Sequence, residues 1–111
     1  MPSGSKKNSM SFTVIVKQEA HEDALAAYDY YEEKQPGLGE RFLTELQKTY
    51  LQLAGLPSAN GFIAEDPLKV LRDVKVARFP YVAIYEIIDR EVVVYAVHNT
   101  YKHPRGRFRR V

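Results

Sequence analysis

Cysteine is absent from the 111 residues, which removes disulfides, thiolate metal sites and a cysteine nucleophile from consideration. No apolar run approaches the ~20 residues that a bilayer-spanning helix needs. The N-terminal segment lacks the apolar centre of a secretory signal, so a cytoplasmic location is expected. There are no internal repeats and no heptads, and low-complexity sequence is confined to the first few residues. Carboxylates are missing from Asn99 onward, although Lys102, Arg105, Arg107, Arg109 and Arg110 all fall there. The formal charge of +2 therefore divides into a body over residues 1–98, with 11 basic and 14 acidic groups and a net of −3, and a purely basic tail. A tail of this kind attracts an anionic partner through forces that salt weakens, although a solvated terminus has the same composition.

What remains is ordinary globular material: 45% apolar and 27% charged residues, enough for one core but not two. Residues 1–10 read as a disordered polar leader with Met10 an alternative start, and residues 11–111 as a single domain. Phe12 to Lys17 is short and rich in β-branched residues, which predicts a strand at a sheet edge. From Glu19 the period changes. Ala20, Ala24, Ala27 and Tyr31 recur at helical spacing, with Leu25 and Tyr28 widening the stripe, until Pro36-Gly37 stops the helix. A second helix is expected from Leu38 to Ala54 on the stripe Phe42, Leu46, Tyr50 and Leu53, with Gly55 placed to end it. The short connection makes the two an antiparallel helical hairpin.

Leu56 to Pro67 reads as a loop with Phe62 and Ile63 plugging the margin of the core. Three strands follow, Val70 to Arg78, Tyr81 to Ile88 and Glu91 to His98, with Phe79-Pro80 interrupting the first pair. Asp89-Arg90 makes a two-residue hairpin that lacks the usual glycine. Arg72 and Arg78 alternate onto one face of the first of these strands with Val70, Val74 and Val76. The last two strands are apolar at nearly every position, where a sheet covered on one side alternates apolar with polar. Its second face is therefore expected to be covered by a partner, another copy or the tail. The fold class is α+β: an N-terminal strand, an antiparallel helical hairpin packed on one face, and a three-stranded antiparallel meander.

Three words in this order carry a resemblance: Pro36, Gly37, Leu38, Gly39, Arg41 and Phe42 at the hairpin turn; Arg78-Phe79-Pro80-Tyr81 with Tyr85 four residues on; and a strand ending in His98 with Lys102 and Arg105 beyond. Over roughly Phe12 to Pro104 the chain resembles the RelE/ParE superfamily of toxins from type II toxin–antitoxin systems, closest in these words to the ParE-like, plasmid-stabilisation branch. The resemblance implies growth inhibition, neutralisation by a small, acidic, partly helical antitoxin, and a homodimer or a heterotetramer with it. It also implies one of two targets. RelE-like members are metal-free ribonucleases that cut messenger RNA on the ribosome, whereas ParE-like members bind DNA gyrase and are not nucleases. An inactive binding module of the same fold is the third alternative.

Metal-free ribonucleolysis needs groups that move protons at the ribose 2′-OH and the leaving oxygen, and cations on the phosphate. On that reading His98, Tyr101 and Arg78 are the catalytic candidates, with His103 a further proton carrier and Arg72, Lys102 and Arg105 further sources of charge. On the binding reading Arg72, Arg78, Tyr81, His98, Tyr101, Lys102, His103, Arg105 and Arg107 form the contact surface for target or antitoxin. The RelE-like pattern places a basic residue just before the Leu-Val-Tyr-like end of its central strand. Here that position is Val82, before Ala83-Ile84-Tyr85, which favours binding over cleavage. No cofactor is implied. His98 and His103 have no acid nearby to complete a metal site, and His21 reads as a solvent-exposed residue near a helix start.

Overall fold

A computed structural model describes residues 11–64 and 66–101; the leader and the basic tail beyond Tyr101 lie outside the described residues. The chain forms β1 (Thr13–Val16), α1 (Gln18–Lys34), α2 (Leu38–Gly55), a 3-10 turn (Pro57–Ala59), β2 (Leu71–Lys75), β3 (Tyr81–Ile88) and β4 (Glu91–Asn99). The four strands make one sheet in the order β1-β4-β3-β2. The meander is antiparallel throughout, and β1 adds to it as a parallel edge strand beside β4. Both helices lie on one face, α1 across β4 and α2 across β1.

The helix stripes bury as their spacing requires. Ala20, Ala24 and Ala27 of α1 and Phe42, Leu46 and Leu53 of α2 are all at most 6% exposed. Alanine at the contact lets α1 lie close to the sheet, and Tyr31 completes its stripe in an aromatic cluster with Phe42, Phe79 and Tyr81.

The hairpin turn shows why its sequence word has two glycines. Gly37 sits at φ 90°, where a side chain is strained. A Cβ on Gly39 would stand 2.6 Å from the Tyr28 carbonyl oxygen of the opposing helix. The Glu32 carboxylate then accepts from both backbones, Gly37 N at 2.8 Å and Gly39 N at 2.9 Å, satisfying orphan donors at the start of α2. This word therefore specifies the fold, not a functional site.

Two expectations about the sheet need correction. The strand expected over Val70 to Arg78 stops at Lys75, because the Lys75 ammonium donates to the carbonyls of Val76 and Phe79 and closes a tight turn. Arg78 occupies that turn at φ 73°. It shares no strand face with Arg72, and the turn swings Val76 and Phe79 together into the helix-side core. At the other hairpin Asp89 supplies the left-handed residue, at φ 56°, where a glycine is more usual. In β4, Tyr95 is the extra residue of a bulge, since Ile84 pairs with Ala96 and Tyr85 with Val94.

The apolar excess on the second face is already buried within the chain. Val82, Ile84, Val93 and Ala96 are 0–7% exposed, and Ile63 of the loop joins Leu71, Val82, Ile84 and Ala96 in a second small core. Of the expected pair of loop plugs, Ile63 is buried and Phe62 is 41% exposed.

Candidate functional site

The residues singled out from sequence separate into two places. Arg72 sits on β2 opposite Tyr85 and is tied to the preceding loop: it donates to the carbonyls of Ser58 and Asn60 and lays its guanidinium over the Phe62 ring, 4.0 Å from the centroid. Tyr85 does related work from the core side, donating to the Pro57 carbonyl and accepting from Asn60 Nδ2. Burial raises its pKa, with the Asn60 hydrogen bond and the Arg72 charge acting the other way. Arg72 and Tyr85, of which only Tyr85 belongs to a family word, hold the loop onto the sheet.

Arg78, Tyr81, His98 and Tyr101 gather instead at the opposite end of β3 and β4. Thr100 donates to the Pro80 carbonyl through both N and Oγ1, and Tyr101 N donates to Asn99 Oδ1, so the chain leaving β4 turns towards the β2–β3 turn. Arg78 extends from that turn with its side chain 72% exposed, 3.8 Å from Glu45 of α2. Tyr81 is buried in the aromatic cluster, and Tyr101 is 84% exposed. Tyr31 beside them has its hydroxyl pushed up to about 12 by burial and by the neighbouring Tyr81, Tyr30 and Tyr101. His98 pairs across with Val82 and keeps its Nδ1 shielded from solvent. Lys102, His103, Arg105 and Arg107 lie outside the described residues.

A cleft of about 290 Å³ opens at this end, lined by Asp23, Ala26, Ala27 and Tyr30 of α1 and by Tyr81, Val97, His98 and Asn99 of the sheet. Asp23, Tyr30 and Asn99 were not among the residues drawn from the sequence. A signal existed for Asp23: it stands three residues after Ala20 and four before Ala27, a carboxylate set into the buried alanine stripe. Its Oδ2 accepts the Val97 N–H at 3.0 Å.

A second surface lies at the opposite edge of the sheet. Thr13 N donates to the carbonyl of Arg90, just before β4, and Lys17 N to that of Val94 within it, so the alternating amides of Val14 and Val16 face outward. Beside them run two contiguous hollows of about 420 and 380 Å³, one between the helices with Val16, Leu25, Leu43 and Tyr50, the other lined by Val14, Gln47, Tyr50, Leu51 and Ala54. Leu51 is 73% exposed and Leu25 46%. Tyr50 belongs to both; its buried hydroxyl meets no hydrogen-bond partner among the described residues, and burial and then Asp23 push it up to about 12. Among the described residues no three His, Asp or Glu side chains are grouped to hold a metal. None of the described helices is long and apolar enough to cross a membrane.

An N-terminal strand, a helical hairpin on one face and a three-stranded meander completing a four-stranded sheet are consistent with the RelE/ParE fold of toxins. The family model described as "ParE toxin of type II toxin-antitoxin system, parDE" matches residues 14–102, and the chain belongs to that family. Among solved structures, it is similar to a chain of the chromosomal ParDE toxin–antitoxin system from P. aeruginosa, with a TM-score of 0.70 and 18% identity, covering 79% of this chain and 95% of that one. No curated protein matches.

Proposed function

We propose that this ParE-family chain acts as a toxin by binding a protein target, DNA gyrase on the strength of the family resemblance, and that an acidic antitoxin neutralises it by covering the open β1 edge and the groove beside it. The observation that carries the choice of binding over cleavage is the use made of the cations. A metal-free ribonuclease needs several positive groups converging on one phosphate. Here Arg72 is held by loop carbonyls, Lys75 by the carbonyls of its own turn, and the central-strand position that holds a base in ribonuclease relatives is the buried Val82. Arg78 is exposed, but a roughly 13 Å rise along the strand separates the level of Tyr81 from that of Arg72's partner, Tyr85. Among the described residues that leaves Arg78 and Tyr101 as a rim suited to contact.

The antitoxin reading rests on what the edge offers: outward amides of Val14 and Val16 next to exposed Leu51 and Leu25 suit an extended segment that adds to the sheet and drops apolar side chains into the groove. Adding purified chain to a gyrase supercoiling assay tests the target. Inhibition relieved by antitoxin is expected, and full supercoiling at a large excess of toxin contradicts it. Mapping of messenger RNA ends during growth arrest separates the alternative, because new ribosome-dependent ends would establish the ribonuclease.

A further inference from the structure

We infer that the basic tail, residues 102–111, docks across the sheet face opposite the helices, so that the anionic partner its charge attracts is this chain's own sheet. On that face Leu71 and Asp73 of β2 stand opposite Glu86 and Ile84 of β3, and Ile84 stands opposite Ala96 of β4. Val82, Ile84 and Ala96 are at most 6% exposed. A sheet face is buried this fully only beneath a covering layer. Among the described residues the cluster they form takes one side chain from outside the sheet, Ile63, and a single isoleucine is too small to be that layer.

The charges of face and tail are complementary. Asp73 is 5% exposed, and Glu86, two residues beyond Ile84 on the same face, accepts from the Tyr95 hydroxyl at 2.7 Å. A carboxylate as buried as Asp73 is costly to hold unless cations or several donors reach it. The cations of β2 donate to backbone instead, Arg72 to the carbonyls of Ser58 and Asn60 and Lys75 to those of Val76 and Phe79. The tail brings five basic residues and no acid. Among them Phe108 is an apolar group for the centre of the face, and arginine stems can lie on apolar surface while their heads reach the acids. The path is also right. Thr100 donates to the Pro80 carbonyl through N and Oγ1, which turns the chain leaving β4 towards β3 and β2. Ten extended residues span roughly 33 Å, against about 13 Å from the level of Val82 to that of Glu86.

The inference does not depend on what the toxin binds, and its test needs no toxicity assay. Because the chain has no cysteine, Val111→Cys gives one site for a nitroxide at the far end of the tail. In the full chain at low salt, the methyl signals of Ile84 and Val93 are expected to be lost to the spin label while those of Leu46 and Leu53, on the helix side, persist. Replacing Arg105, Arg107, Arg109 and Arg110 by Gln should restore the lost signals, and so should Asp73→Asn combined with Glu86→Gln. The tail variant leaves the sheet intact and carries the test alone where the acid variant fails to fold. Ile84 and Val93 signals that keep their intensity, or a loss that survives neutralising the arginines, overturns the proposal. Isotope-labelled chain without the nitroxide, mixed with spin-labelled chain, should keep its Ile84 and Val93 signals. Their loss in that sample would assign the cover to another copy's tail and overturn the proposal equally.

Discussion

The two edges of the sheet are built in opposite ways. At the β2 edge the 61–63 segment lies alongside the strand, with Ile63 N donating to Leu71 O and Phe62 bridging to Arg72. Arg72 grips the loop from one side, and Asp66 accepts from the backbone amides of Leu68, Val70 and Leu71 from the other. Among the described residues the β1 edge is tied on its outer side only at its start, where Phe12 N donates to the Ala54 carbonyl, and exposed leucines stand next to the rest of it. An open strand edge is a liability that proteins usually blunt. One edge closed with several polar contacts and the other left largely open is the contrast on which the proposed antitoxin interface rests.

Breaking the closed edge should have the largest effect. Asp66→Ala strands three backbone amides, two of the loop and the first of β2, and is expected to cost about 2–3 kcal/mol in urea unfolding, with self-association as the β2 edge comes free. A variant as stable and monomeric as the parent would show that the loop is not what closes this edge. At the open edge the prediction reverses. Val14→Pro removes an outward amide and leaves the β4 ladder alone, so stability should change by less than about 1 kcal/mol. Antitoxin affinity, by contrast, should fall roughly a hundredfold in titration calorimetry. Leu51→Ala, at a site 73% exposed, should leave stability within about 0.5 kcal/mol and weaken the complex about tenfold.

The smallest effect concerns Tyr50. Its hydroxyl is buried without a partner among the described residues, so Tyr50→Phe should be neutral or stabilising by up to about 1 kcal/mol at pH 7. The sign with pH follows from a folded pKa raised from 10.0 to about 12. The folded state holds this proton more tightly than the unfolded one. The stability linked to it is therefore whole below pH 10 and is lost as pH rises through 12. Alkaline unfolding of Tyr50→Phe, compared with the parent across that window, should be the flatter of the two.

Much of the fold was legible because it is written in local pattern. The alanine stripe of α1 and the Phe42 and Leu46 stripe of α2 fix their elements by period, the short apolar, β-branched runs of β3 and β4 fix theirs by composition and length, and the stop at Pro36-Gly37 follows from backbone chemistry. The failures come from contacts that neither composition nor period displays. Lys75 shortens β2 by closing a turn over Val76 and Phe79. Arg72 looked like an anion ligand on an apolar strand, but its partners are carbonyls twelve and fourteen residues earlier. β1 had the composition of an edge strand, yet nothing local states that it joins β4 in parallel. The candidate site was legible only as a collection. His98, Tyr81, Arg78 and Tyr101 do lie at one end of the sheet, and the helix residue that lines the cleft with Tyr81 and His98, Asp23, was concealed among the other acids of α1.

Hydrogen exchange on the toxin with and without its antitoxin tests the contrast between the edges directly. Protection of the Val14 and Val16 amides that appears only in the complex, with Leu71 and Asp73 equally protected in both states, is the predicted result. A tight complex that leaves the Val14 and Val16 amides exchanging as fast as in the free toxin would contradict it.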